Sequence, residues 1–365
     1  MADSPAPPLK EMFDAARFRM VAEALTALDP KFDAKRFLRL SLAGLDDLTL
    51  MQRLRRMTES LHATLPLDFG KALRLLKQLA PRIDKAFVTL VLPDYVGLYG
   101  HDDFEASMDA LKFFTRFGSS EFAVREFLKR DLSRTLTVME TWSRDGDEHV
   151  RRLACEGCRP RLPWSFQLGA LIADPAPVVP ILENLKTDPS LYVRKSVANH
   201  LNDITKKHPD WVLDRLAGWP LENPPTAWIA RQALRTLIKK GNPRALQLIG
   251  ATGKPEVLVH GLSLQPATLQ LGDRFTLTFN LTSQAVRTQR LVVDYEVHYV
   301  KKSGETLPKV FKWKELTLEP GATVSLSRAQ MIRDFTTRVH HAGHHAVEIL
   351  INGERLAGTA FLLKR

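Results

Sequence analysis

From about residue 16 to residue 249, apolar side chains recur at three- and four-residue spacing, and Gly and Pro fall between the runs. Leu73, Leu76 and Ala80 form one such stripe. Val193, Val197, Leu201 and Ile204 form a cleaner one. Both are the spacing of helices with one buried face. Near residues 250–255 the period changes to two. Phe275, Leu277 and Phe279 then alternate with Thr276, Thr278 and Asn280, and Val292, Tyr295, Val297 and Tyr299 suggest a second strand. Residues 324–326, 346–351 and 359–363 add more. Gly261, Gly272, Gly304, Gly321, Gly343 and Gly353 punctuate these runs, and Asn352-Gly353 is a hairpin-turn signal. The first fifteen or so residues read as a loose, Pro-containing lead-in.

The helical part repeats. EHVRRLACEG from Glu148, LYVRKSVANH from Leu191 and AWIARQALRT from Ala227 share a similar start followed by small and apolar residues. The equivalent Val150, Val193 and Ile229 are 43 and then 36 residues apart, and EFAVREFLKR from Glu121 is a looser fourth copy. Each is preceded by another helix-like run, for example residues 135–143 and 178–186. Paired helices at such a period predict a HEAT-like solenoid, because one pair cannot bury its apolar face alone and must stack on the next. The later strands, about seven in roughly 105 residues, predict an immunoglobulin-like β-sandwich without the usual Cys pair. The expected fold is therefore mainly α, with the helical repeats over residues 1–255 and the sandwich over 256–365.

Charge then narrows the partners. Lys and Arg number 52 against 41 Asp and Glu, a formal charge of +11. That favours a polyanion, nucleic acid first and an acidic membrane surface second; the plain alternative is a protein that is merely basic and soluble. The membrane reading has little support, because no basic amphipathic helix with an aromatic face stands out. The apolar stretch 87–99 is interrupted by Pro93 and Asp94, and it falls short of the roughly 20 residues that span a bilayer. MADSPAPPLKEMF has no basic region followed by an apolar run, so no secretory signal is expected. Two cysteines, Cys155 and Cys158, fit a reducing cytoplasm.

Several residue groups could carry chemistry. Arg152, Glu156 and Arg159 are spaced to share a helix face, with Trp164 beyond Pro163. Such a stripe could grip phosphates and still offer a carboxylate, but spacing alone favours a solvated Glu–Arg pair and a core tryptophan. Lys195, Asn199 and Asp203 share a face of the next repeat helix, with Arg194, Lys206 and Lys207 around it, and repeat alignment sets Asn199 opposite Glu156. For Asp203 the plain alternative is a surface carboxylate amid lysines. Glu121 follows Ser119 and Ser120 at a helix start. There Ser120 is expected to cap and Glu121 to favour the dipole, and this gives Glu121 no catalytic role. Cys155-x-x-Cys158 lacks the second ligand pair of a zinc site and reads as packing. His340, His341, His344 and His345 surround Gly343; a metal site is one reading, and a strand-turn segment touching solvent or phosphate is the favoured one.

At RRLACEGCRPRLPW and YVRKSVANHLNDITKKHP the sequence resembles the AlkC branch of the AlkC/AlkD DNA alkylation-repair glycosylases. The resemblance covers the helical region, most specifically residues 119–211, and the sandwich is similar to that of one AlkC subgroup. It implies excision of cationic alkylated bases from double-stranded DNA: chiefly N3-methyladenine, also N3-methylcytosine, with N1-methyladenine as a further candidate. It also implies that the damaged base need not be flipped into a pocket, unlike most base-excising enzymes. It assigns Glu121, Glu156 and Asp203 as the catalytic carboxylates and Trp164 as their aromatic partner, with no metal or other cofactor. Cys155 and Cys158 stand where the family pattern has small hydroxyl residues, which supports packing roles for both. Arg152, Arg159, Arg161, Arg194, Lys195, Asn199, Lys206 and Lys207 become candidates for DNA contact. So do His340, His341, His344 and His345, since residues 257–365 hold 14 Lys and Arg against nine Asp and Glu. A monomer in the cytoplasm, associated with the nucleoid, is expected. The rival class is a non-catalytic HEAT-repeat scaffold that binds nucleic acid or an acidic protein. A pure anion binder would avoid carboxylates inside a basic face.

Overall fold

The computed structural model describes residues 9–66, 68–83, 87–251, 253–335 and 339–364. The first eight residues of the expected lead-in lie outside that set. The chain divides into two compact units, Met1–Ile204 and Thr205–Arg365.

Among the described residues the first unit contains α1 (Ala15–Leu28), α2 (Ala34–Leu42), α3 (Leu50–His62), α4 (Phe69–Leu79), α5 (Val91–Tyr99), α6 (Phe104–Phe114), α7 (Val124–Arg130), α8 (Leu132–Trp142), α9 (Glu148–Glu156), α10 (Gly169–Ala173), α11 (Val179–Leu185) and α12 (Leu191–Ile204). Aspartates start many of them. Asp103, Asp131 and Asp147 accept from the backbone N–H groups of Ala106, Arg134 and His149, which satisfies donors the helix itself leaves open. The repeat copies fall on α7, α9 and α12, and Val124, Val150 and Val193 are fully buried at equivalent places. α9 packs against α8, α11 and α12 through Val150, Leu153 and Ala154. Each large apolar side chain buried this way stabilises by roughly 1.5–3 kcal/mol. No described helix is long and apolar enough to cross a membrane.

The second unit opens with α13 (Pro209–Ala217), α14 (Pro224–Ala233), α15 (Arg235–Lys239) and α16 (Pro243–Leu248). Eight strands follow among the described residues: β1 (Val257–Gln265), β2 (Thr268–Gln270), β3 (Arg274–Ser283), β4 (Gln289–Val300), β5 (Thr306–Leu318), β6 (Thr323–Met331), β7 (Gly343–Ile351) and β8 (Glu354–Lys364). They form a three-stranded sheet, β1-β3-β6, and a five-stranded sheet, β2-β8-β7-β4-β5, antiparallel except where β2 meets β8. Phe275, Leu277, Phe279 and Leu281 of one sheet share a core with Val293, Tyr295, Val297, Ile349 and Phe361 of the other. That common core makes a sandwich, as the alternation of β3 predicts. Asn352 and Gly353 take φ of 50° and 82°, the left-handed pair a two-residue hairpin needs, and Ile351 pairs with Glu354 across it. A Cβ on Gly353 would lie 2.2 Å from Gly241 Cα, so close approach as well as φ requires glycine there.

Candidate active site

Glu121 sits in the turn before α7. Ser120 does not cap that helix. Its hydroxyl is fully buried and donates to the Leu111 carbonyl of α6 at 2.8 Å, which pins the turn to the preceding helix instead. Ser119 donates to Glu121 Oε2 at 2.6 Å and accepts from Arg152 at 2.8 Å. Arg152 also pairs directly with Glu121 and lies 3.5 Å from Glu156 Oε1. Arg159, just past the end of α9, donates to Glu156 Oε1 at 2.6 Å and to Asp203 Oδ2 at 3.0 and 2.9 Å. Ser196 of α12 donates to Glu156 Oε2 at 2.6 Å. Three carboxylates and two guanidiniums thus form one alternating chain, Glu121–Arg152–Glu156–Arg159–Asp203, contributed by the α7 entry, α9 and α12.

The chain is secluded: the side chains of Glu156 and Asp203 are 8% and 6% exposed. Burial alone would depress the Arg152 guanidinium, but Glu121 and Glu156 outweigh it and hold it above its ordinary value. Burial acts the same way on Arg159, where Glu156 and Asp203 outweigh it. Charges held in a low-dielectric setting act on one another, and on any cation brought near, more strongly than they would in water.

A cleft of about 570 Å³ opens over this chain. Glu121, Arg152, Glu156 and Arg159 line it together with Phe122, Trp164 and Tyr192. Asp203 is not among the lining residues and joins the cleft through Arg159. Trp164 is 60% exposed and holds φ at 62°, a conformation an aromatic residue rarely takes. Its ring tilts against Phe87 at 6.0 Å. The expectation of a core tryptophan therefore fails, because the loop presents the indole to the cleft. Tyr192 stacks on the Arg152 guanidinium at 4.9 Å.

The candidate DNA contacts separate. Arg152 and Arg159 are engaged with carboxylates. Arg194 donates to the Asp188 and Pro189 carbonyls at 3.0 and 2.7 Å, so it closes its own loop. Arg161 is half-buried and donates to Gln167; Asn199 is half-buried; Lys195, Lys206 and Lys207 are exposed. The histidine group is split. His345 is buried, stacked on Phe361 at 4.8 Å, and accepts from the Val300 N–H. Burial holds it below the usual histidine range. His340 is buried beside Tyr299 and Asp334. Neither can reach a phosphate, which corrects the expectation for those two; His344 is exposed and His341 half-buried. Cys155 and Cys158 are free and fully buried, and burial pushes the Cys155 thiol up to about 12, as packing residues require.

Sequence reasoning missed Ser119, Ser196 and Tyr192. Ser119 stood next to a named residue, and only its bridging position distinguishes it. Ser196 lies one turn after Tyr192 on α12 and is buried against Glu156, and repeat equivalence, which pairs Asn199 with Glu156, does not report which side chain reaches across from one helix to the next.

Residues 112–237 match the family model described as DNA alkylation repair enzyme, and residues 258–365 match the one described as the C-terminal Ig-like domain of the uncharacterised protein YhaZ. The chain is 56% identical to the Pseudomonas fluorescens alkylpurine DNA glycosylase AlkC, solved bound to DNA containing an abasic site analog. That similarity has a TM-score of 0.96 and covers 98% of this chain and 100% of that one. It is also 42% identical over 347 residues to the uncharacterized protein YhaZ of Bacillus subtilis (strain 168), covering 95% of this chain and 96% of the relative.

Proposed function

Because this chain belongs to the AlkC family of DNA alkylation repair enzymes, we propose that it is a DNA glycosylase of cationic alkylated bases whose carboxylate–arginine chain promotes cleavage of the N-glycosidic bond. The observation that carries the reading is the alternating chain under an open cleft with Trp164 at its rim. Glu121 and Glu156 bring carboxylates to the wall of the cleft, which suits a cation. Alkylation at a ring nitrogen makes the base cationic and a good leaving group. As the C1′–N bond breaks, positive charge develops on the deoxyribose. Glu121, Glu156 and Asp203 stabilise that charge, and one of them orients or deprotonates the attacking water. The exposed indole attracts the cationic base or sugar through its π face.

Selectivity for damage follows, since a neutral base leaves poorly and gains little from the same field. N3-methyladenine, N3-methylcytosine and N1-methyladenine in duplex DNA are the proposed substrates. They would be excised without enclosing the base in a pocket and without a metal. Arg161, Lys195, Asn199, Lys206, Lys207, His341 and His344 are the proposed DNA contacts. Residues 1–255 would carry the chemistry and residues 256–365 extend the grip on DNA. The protein is proposed to act as a monomer on nucleoid DNA.

The test is release of these three bases from methylated duplex by the full chain, in single turnover without added metal. Release is expected. A folded protein that binds the duplex and releases nothing would contradict the reading and leave a binding scaffold.

A further inference from the structure

A Val-Arg pair occurs in three of the repeat segments: Val124-Arg125, Val150-Arg151 and Val193-Arg194. Two of the arginines share a local contact, and Arg151 also reaches forward 37 residues, its Nε and Nη2 donating to the Asp188 carboxylate at 2.7 and 3.2 Å. Arg151 Nη1 donates to the carbonyls of Asp145 and Gly146, six and five residues upstream, at 3.0 and 2.9 Å. Arg194 Nη1 donates to those of Asp188 and Pro189, again six and five residues upstream. Each closes the loop that enters its own helix by holding two of its carbonyls.

Arg125 differs in holding no carbonyl of the loop that enters its own helix among the described residues, and in meeting distant carbonyls where Arg151 meets a carboxylate. Its fully buried side chain reaches forward along the chain, where Nη1 donates to the carbonyls of Gly157 at 2.9 Å and Arg159 at 2.7 Å, and Nη2 donates to that of Phe166. The Phe166 ring lies 5.3 Å from the guanidinium carbon. Nε has no partner among the described residues. Burial pushes this guanidinium down to about 10. Glu121 and Asp203 favour this cation through space, but no carboxylate meets it in hydrogen-bond contact among the described residues; a cation buried this way is expensive, and an apolar side chain of similar volume would serve stability as well or better. What Arg125 does hold is the segment 157–166, gathered at both ends. Near one end is Arg159, the shared partner of Glu156 and Asp203; near the other is Trp164, in its left-handed conformation.

We infer that Arg125 is a positioning residue for base excision: it redirects a repeat-closing arginine to fix the segment that carries Arg159 and Trp164. This rests on the excision reading. A small displacement of that segment would misplace both the carboxylate clamp and the aromatic face, and misplacement by about 1 Å costs on the order of 100-fold in rate.

The experiment uses the full chain with Arg125→Met, Arg125→Lys and, as the control for the ordinary use of this repeat position, Arg151→Met. It measures thermal stability, affinity for duplex carrying a tetrahydrofuran abasic site, and the single-turnover rate of N3-methyladenine release at saturating enzyme. Arg125→Met is expected to lose about 100-fold in rate with affinity kept within about threefold, and Arg125→Lys to recover about tenfold of that loss. Arg151→Met should stay near wild type in rate despite a lower melting temperature. Equal rates for Arg125→Met and Arg151→Met, or a loss that merely follows affinity, would overturn the inference. If the methionine variant does not fold, the lysine variant decides by the same criteria. Wild type that releases no base would bring down the excision reading itself, whereas wild-type release with unimpaired Arg125 variants removes this inference alone.

Discussion

Two charged networks of similar composition occur in the two units, and they differ in what surrounds them. In the first unit, Glu121, Arg152, Glu156, Arg159 and Asp203 alternate in sign beneath a cleft rimmed by Trp164 and Tyr192. In the second, Arg355 donates to Glu296 and Glu348, which pair directly across β4 and β7, and His298 lies 2.8 Å from Glu348. There the cationic partner Arg355 is 54% exposed although Glu296 is only 5% exposed, so water competes from the guanidinium side. An alternating set of charges is therefore not evidence of chemistry in itself. Secluded guanidiniums, Arg152 at 15% and Arg159 at 9% exposed, together with an aromatic face open to a ligand, are what separate the first network from the cluster on the sheet.

The comparison can be broken most sharply by matched substitutions. Glu121→Gln, Glu156→Gln and Asp203→Asn are each expected to lower single-turnover excision by roughly 10²–10⁴-fold while the proteins still bind DNA. Glu348→Gln should leave the rate unchanged. A loss at Glu348 as large as that at Glu121 would erase the distinction. Trp164→Ala comes next, with a loss of roughly tenfold in rate, the size of one partly desolvated cation–π contact.

Smaller effects concern stability, and two buried titratable groups, one in each unit, respond to pH in opposite directions. Burial pushes His200 down to about 3, and its Nδ1 contacts the Cys155 carbonyl at 3.1 Å. The folded chain keeps it neutral while the unfolded chain protonates it near its ordinary value of 6.5. Stability should thus be lost as pH falls from about 6.5 toward 3, at up to about 1.4 kcal/mol per pH unit, and His200→Gln should flatten that slope in denaturant titrations. Asp294 behaves in reverse. Burial raises it to about 6 from an ordinary 3.8, so its contribution is present below 3.8 and is lost as pH rises through about 6. Asp294→Asn should then raise stability at neutral pH by about 1–3 kcal/mol, with no gain below pH 4. Last, Arg355→Ala leaves Glu296 and Glu348 facing each other, and it should lower the melting temperature while leaving excision intact.

Much of the architecture could be read from periodicity, because helix and strand periods report which face is buried. The change of period near residue 250 matches the passage from α16 to β1, and Val124, Val150 and Val193 mark equivalent buried places. β5 escaped notice because Lys309, Lys312, Lys314 and Glu315 dilute its alternation. That the last four helices group with the sheets depends on contacts the sequence pattern does not carry. For the site, the resemblance supplied Glu121, Glu156, Asp203 and Trp164. What joins the carboxylates was not legible, because Arg159 reaches Asp203 across 44 residues and Ser196 reaches Glu156 across 40. His340 and His345 misled for a related reason: a histidine in a turn-rich, basic stretch suggests solvent, yet Tyr299 and Phe361 take these two rings into the core.

The central claim is that the carboxylates act on positive charge developing at the sugar. Its most direct test compares affinity for duplex containing a cationic pyrrolidine abasic mimic with affinity for the neutral tetrahydrofuran analogue, in wild type and in Glu121→Gln, Glu156→Gln and Asp203→Asn. Wild type should prefer the cationic mimic by at least about tenfold, and the variants should lose that preference while keeping their affinity for the neutral one. Equal affinity of wild type for the two duplexes, or a preference untouched by all three substitutions, would contradict the account.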